Sequence, residues 1–124
     1  MIKLTFCLRR LDGLSLEQFQ HYWFDVHAPL VREVAGTLRI RRYVQSHLLA
    51  DPRLSGISDI RGIQAAPFDG IAEIWWDDLA DVLAAGETRE TREAGRRLIA
   101  DERNFIDLEN SPLFFVNERD VIGE

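Results

Sequence analysis

Apolar and polar residues alternate from the start of the chain. Ile2, Leu4, Phe6 and Leu8 are interleaved with Lys3, Thr5, Cys7 and Arg9, the period of two expected of a half-buried strand. Asp12-Gly13 ends that pattern. Ser15 followed by Gln18 is a capping-box pair and predicts a helix from Leu16. Phe19, Trp23, Val26 and Leu30 then recur at helical spacing as its apolar stripe. Pro29 has no N–H and crowds the preceding turn, which predicts a break or kink near His27-Ala28. The pattern resumes through Val34 and stops at Gly36, read as a C-terminal cap.

Alternation returns over residues 38–49, with Leu38, Ile40, Val44 and Leu48 on one face and Tyr43, Gln45, His47 and Leu49 on the other. Residues 51–68 hold Pro52, Gly56, Gly62 and Pro67 and read as a long loop. Long loops in compact domains are commonly functional, so this one is expected to cover a ligand cavity. Gly70–Asp77 is a third strand, with Ala72, Ile74 and Trp76 opposing Ile71, Glu73 and Trp75. Asp77 or Asp78 can cap a short helix that ends at Gly86. A further helix is predicted over Thr88–Arg103, with Arg89/Glu93 and Glu93/Arg97 as i,i+4 pairs on a solvated face. Leu113–Val116, running to about Arg119, is the fourth strand.

The order strand, helix, strand, strand, helix, strand predicts an α+β, ferredoxin-like βαββαβ domain spanning residues 1–124, with helices on one face of a four-stranded antiparallel sheet. The opposite face is left bare. Apolar residues occupy both alternating sets of the last two strands: Ile71, Trp75 and Phe115 as well as Ile74, Trp76 and Phe114. Such a face predicts a homodimer closed by the sheets, with an interface on the order of 2,000 Å².

Composition removes several function classes. The 124 residues carry 21 acids against 15 bases, a net charge of −6, so the basic footprint of a nucleic-acid binder is missing. Lys3 is the one lysine, which leaves a Schiff-base mechanism a single candidate. One cysteine, Cys7, cannot form an internal disulfide, and with no membrane-length apolar run or signal-peptide pattern a reduced cytoplasmic setting is expected. Three histidines, at 21, 27 and 47, lack the spacing of a helical metal pair, and no glycine-rich loop follows a strand, so neither a metal nor a nucleotide cofactor is expected.

Three stretches together resemble a known family. Phe19-Gln-His-Tyr-Trp23, leading through Asp25-Val-His27-Ala-Pro29-Leu-Val31, is similar to the signature helix of the EthD family. Arg42-Tyr43-Val-Gln-Ser-His47 resembles its second strand; Asp69-Gly70-Ile-Ala-Glu73-Ile-Trp75, with Asp101-Glu102 and Phe105, resembles its third strand and closing helix. The resemblance implies membership of the dimeric α/β-barrel superfamily, in which two ferredoxin-like sheets pack face to face. That superfamily includes muconolactone isomerases, cofactor-free monooxygenases, polyketide cyclases and haem-handling proteins. It therefore implies a cofactor-independent enzyme of the oxidoreductase (monooxygenase) or isomerase type in a degradative pathway. The alternative is an accessory module that binds a hydrophobic ligand or haem through His27 or His47. Function has to be argued from the site.

His27 is the leading candidate for proton transfer, because it lies at the border of the apolar stripe beside Pro29; the competing reading makes it a local cap. Burial there is expected to hold its pKa near or below neutrality. Tyr43 and His47 share a strand face and can together hold a substrate oxygen, or else fill an interface between sheets. Trp23, Trp75 and Phe6 can line a pocket for an apolar or aromatic ligand, or be plain core. Glu73 beside Trp75 is a base if buried alone and structural if paired. His21 reads as solvated and Cys7 as packing.

Overall fold

Four strands, β1 (Ile2–Leu8), β2 (Arg42–His47), β3 (Gly70–Trp76) and β4 (Leu113–Val116), form one sheet in the computed structural model, which describes residues 1–123. The order is β2-β3-β1-β4 and every neighbouring pair is antiparallel. Helices α1 (Leu16–His21) and α2 (Ala28–Val34) connect β1 to β2, and α4 (Leu79–Leu83) and α5 (Arg89–Glu102) connect β3 to β4. This is the ferredoxin-like α+β arrangement read from the sequence. A short α3 (Ser55–Asp59), preceded by a 3-10 turn at Pro52–Leu54, lies in the β2–β3 connection that the sequence reads as loop throughout.

Leu4, Phe6 and Leu8 of β1 and Ala72 and Trp76 of β3 face the helices and meet Phe19, Trp23, Phe105 and Ile106 in the main core. Gly70 is required there: a Cβ at this position would overlap the Trp23 ring. The α1 start is capped as predicted, with Gln18 N–H donating to Ser15 Oγ at 3.0 Å and Ser15 N–H donating to Gln18 Oε1 at 2.8 Å. Thr88 caps α5 in the same manner. Of the two ion pairs expected along α5, Arg89–Glu93 forms at 3.1 Å, whereas Arg97 reaches across to Glu33 on α2.

The predicted helix break at Pro29 is replaced by a π-helical turn, Tyr22–His27, in which Ala28 N–H donates to Trp23 O five residues back. The wider turn gives the proline ring room, and Pro29 sits in the first turn of α2, where a missing N–H costs least. The turn also moves the buried stripe by one residue. Val26 and Leu30, expected in the core, are exposed and half-buried, while His27 and Val31 are 4% and 4% exposed. Gly36 is not the left-handed cap; Arg39, at φ 57°, carries the positive φ of that connection.

The fourth strand ends at Val116, and its phase is set by pairing Leu4 with Phe115. Phe115 therefore joins Trp76 on the helix side, with ring centroids 6.2 Å apart, while Phe114 shares the opposite face with Trp75 and Ile71. Four apolar residues in a row give no phase of their own. Among the described residues no helix is long and apolar enough to cross a membrane.

Candidate functional site

The π turn and α5 bring His27 and Asp101 together across 74 residues of sequence, with His27 Nδ1 2.7 Å from Asp101 Oδ2. Tyr22 O–H donates to the other carboxylate oxygen at 2.6 Å, and Asn104 Nδ2 donates to Tyr22 Oη at 3.1 Å. Burial pushes the Asp101 carboxyl up, but the donors Tyr22 and His27 outweigh it and hold the group below the usual carboxylate range. An ionised Asp101 only accepts, so His27 carries its proton on Nδ1 and leaves Nε2 as a free acceptor. Burial lowers the His27 pKa, and the hydrogen bond and charge of Asp101 offset only part of that. A neutral, oriented imidazole is the result.

His27 lines an internal chamber of about 30 Å³ together with Phe6, Trp23, Val31, Tyr43 and Glu102. That space admits a water or one small group. Outside it runs a groove of about 570 Å³ between β2 and the helical segment, lined by Phe24, Ala28, Arg32, Gln45 and His47 among others. Val31, Ile40 and Tyr43 line both spaces and form the wall between them. The groove has the volume of a small-molecule pocket, and its inner wall is apolar.

Tyr43 Oη accepts from Trp23 Nε1 at 3.1 Å and from Gln45 Nε2 at 3.0 Å. With both lone pairs engaged, its own O–H remains a donor toward the space it lines. Burial raises the Tyr43 pKa, which keeps that proton in place. His47 Nε2–H donates to Gln45 Oε1 at 2.9 Å, and the ring stacks on Trp23 with centroids 4.4 Å apart. Burial lowers the His47 pKa.

The candidate residues thus divide between two faces of the sheet. His27, Tyr43, Trp23 and Phe6 converge on the chamber; His47 lies in the outer groove, on the same side. Glu73 and Trp75 lie on the opposite face and meet none of these. Lys3 Nζ binds Glu73 Oε2 at 2.7 Å, the condition under which Glu73 reads as structural. Trp75 donates to Glu118 and is flanked by Lys3 and Arg42, whose charges lie 5.3 and 4.7 Å from its ring. Alternation along a lone strand cannot separate the functional face from the other.

The 51–68 loop does not cover the site. None of its residues lines the chamber or the groove; Ala66 and Pro67 instead border an open basin with Arg9, Arg10 and Asp69. Its apolar side chains Leu54, Ile57, Ile60 and Ile63 are exposed. Cys7 is half-buried on the bare face, and burial raises its pKa. His21 pairs with Asp25 at 2.7 Å on the surface.

Two site residues escape a reading of local pattern: Asp101, which holds His27, and Glu102, which lines the chamber. Burial and the neighbouring Asp101 push the Glu102 carboxyl up to about 7, against a smaller opposing effect of Arg103. A pair of adjacent acids late in an otherwise solvated helix was the available signal.

Comparison with known proteins agrees with this architecture. A decarboxylase, AgnL1, from Paecilomyces divaricatus is 24% identical over 110 residues, covering 87% of this chain and 72% of that protein. A decarboxylase from Claviceps purpurea is 28% identical over 80 residues, 63% of this chain and 57% of its own length. Among solved structures, an EthD-family protein from Bacillus halodurans superposes with a TM-score of 0.63 at 20% identity, covering 96% of this chain and 99% of that one. A dimeric protein of unknown function with a ferredoxin-like fold, from Bacteroides fragilis, gives 0.57 at 11% identity, with 94% and 95% covered. The family profile for the EthD domain matches residues 11–109, from the end of β1 through the helix that carries Asp101, and the chain belongs to that family.

Proposed function

We propose that this EthD-domain protein is a small enzyme that moves protons on an apolar or aromatic oxygenated molecule, and that its reaction is the decarboxylation of an aromatic oxo acid. The observation that carries this reading is the buried His27–Asp101 pair, which leaves Nε2 without a partner among the described residues, with His27 and Tyr43 lining one chamber. The names of the two curated relatives point to the same class of reaction. Oxidoreductase and isomerase chemistry would use the same base; decarboxylation is the version those relatives favour.

The substrate body lies in the outer groove and its reacting end at the wall formed by Val31, Ile40 and Tyr43. A β-oxo acid enters as its carboxylate, because its carboxyl proton is lost well below neutral pH. The bond between the α-carbon and the carboxylate breaks, carbon dioxide leaves, and the electron pair moves through the new C=C bond onto the carbonyl oxygen. Tyr43 O–H holds that oxygen by a hydrogen bond. That oxygen takes a proton from solvent to give the enol, and His27 Nε2 then carries the enol O–H proton to the α-carbon, which restores the enzyme. Asp101 stabilises the imidazolium and fixes its tautomer. Each step uses the chain's own groups and solvent, so no cofactor enters the scheme.

The bare face, where Ile71 is 36% and Phe114 47% exposed, suits a second copy of the chain, and a reduced cytoplasmic setting suits the free Cys7. Sedimentation as a 14.3 kDa monomer at micromolar concentration would remove the dimer. For the chemistry, release of carbon dioxide from benzoylacetate is the assay. The wild type should accelerate it, with a rate that rises with pH through the lowered His27 pKa. If His27→Gln, which keeps a hydrogen bond but carries no proton at neutral pH, retains the full rate, the reading fails.

A further inference from the structure

The scheme above uses one titratable group of the chamber and leaves another idle. Glu102 lines the same small space as His27 and Tyr43. Its carboxyl has no hydrogen-bond or ion-pair partner among the described residues, in contrast to Asp101 beside it, which has three donors. No sealed side-chain oxygen of the described residues lacks a partner, so the Glu102 oxygens touch open space. A carboxyl taken from water without a partner is a cost to folding, and such costs are concentrated at functional sites.

We propose that Glu102 is a catalytic acid of this site and that it works with His27 as the base, the two exchanging protons with the reacting end of one substrate where it meets the chamber. The inference rests on the proton-transfer reading of the site and adds the group that protonates oxygen. Tyr43 holds its own proton too firmly for that task, because burial raises its pKa. Glu102 is different. The groups that face or flank it are His27 from the π turn, Tyr43 from β2, and Asp101 and Arg103 from its own helix. His27 is neutral, Tyr43 is neutral, and Asp101 is negative, so three of the four leave the carboxyl protonated and only Arg103 opposes them. Burial and Asp101 bring its pKa to about 7, while burial takes His27 the other way. Two groups pushed apart in this manner define an acid and a base.

The proton account closes. The substrate carboxylate loses carbon dioxide as the carbon–carbon bond breaks, and Glu102 gives its proton to the carbonyl oxygen as the enol forms. His27 Nε2 then takes the enol O–H proton and delivers it to the α-carbon, while Glu102 regains a proton from solvent. A neutral enol replaces an enolate, and both residues end as they began.

Carboxyl-carbon NMR on protein labelled at its glutamates tests the proton directly, without substrate. One glutamate should titrate at about 7, and that resonance should be absent from Glu102→Gln and present in His27→Gln. Glutamates that all titrate in the ordinary range overturn the proposal. In the benzoylacetate assay, Glu102→Gln should lower kcat by on the order of 10²-fold and abolish the fall in rate above neutral pH. Glu102→Asp should recover part of the rate, which a merely structural carboxyl would not do. A Glu102→Gln enzyme with wild-type kcat and an unchanged alkaline limb overturns the role of Glu102 and leaves His27 untouched. A His27→Gln enzyme with full turnover overturns the underlying reading instead, so the two failures are told apart.

Discussion

The two faces of this sheet carry similar residues to opposite ends. On the open face, Lys3, Glu73, Arg42, Trp75 and Glu118 form a closed set: Lys3 joins Glu73 at 2.7 Å and Glu118 at 3.6 Å, and two cations flank the indole. On the helix-covered face, the donors and acceptors stop one short. Among the described residues, His27 Nε2 and the Tyr43 O–H have no partner and neither has Glu102, all around a space of about 30 Å³. The difference teaches that a charged or aromatic side chain marks a site only when its bonding capacity is left over. Trp75 and Glu73 look as reactive in sequence as Trp23 and His27, but Glu73 is paired with Lys3 and Trp75 donates to Glu118.

The comparison breaks first at His27. His27→Ala should cut kcat by on the order of 10²–10⁴ in the decarboxylation assay, whereas Glu73→Gln on the other face should leave it unchanged. Equal losses would mean that both faces serve the reaction. Next comes packing: Trp23 is 1% exposed, and Trp23→Ala should cost about 3–5 kcal/mol in denaturant unfolding. Trp75→Ala also removes a buried indole, 7% exposed, and should cost a comparable amount, about 3–5 kcal/mol, but leave kcat unchanged.

Asp101→Asn sharpens the picture within the chamber face. Asn can present its amide N–H to Nδ1 and so reverse the tautomer, and a reversal of this kind costs up to about 10⁴-fold in kcat. The His27 pKa, read by proton NMR, should fall further, since Asp101 is what raises it against burial. The smallest effect is one of stability. Folded Glu102 keeps a proton up to about pH 7 that the unfolded chain loses near 4.5, so this group subtracts stability progressively as pH rises through that window. Glu102→Gln should therefore melt like the wild type at pH 4 and above it at pH 8, by on the order of 1 kcal/mol once the partial exposure of the carboxyl is allowed for.

The sheet and its helices were legible because their signals are local. The alternation of Ile2, Leu4, Phe6 and Leu8, the Ser15–Gln18 box and the Asp78 cap each lie within a few residues, and each forms. The site was legible in part. His27 stands out by its motif, but its partner Asp101 is 74 residues away, and only the packing of α5 against the π turn selects it. The role of the 51–68 loop and the facing of Phe114 and Phe115 depend on tertiary position, which composition and a four-residue strand do not encode.

The π turn has a consequence for how such a chain can change by gain and loss of residues. Relative to an unbroken α-helix it behaves as a one-residue insertion, and it is why a histidine four places after Trp23 is buried while the valine three places after is exposed. Deleting Phe24 alone would let the helix close into regular turns and bring the histidine into the older phase, but it would leave the proline of the motif inside a helix with no wider turn to shelter it, at a cost of about 3 kcal/mol or more. Replacing that proline first would be harmless to the wider turn yet useless without the deletion. The two changes are therefore epistatic: lineages that carry the turn are held to it by one ring, and those that lost it are expected to show Trp-x-x-His with no proline two residues on.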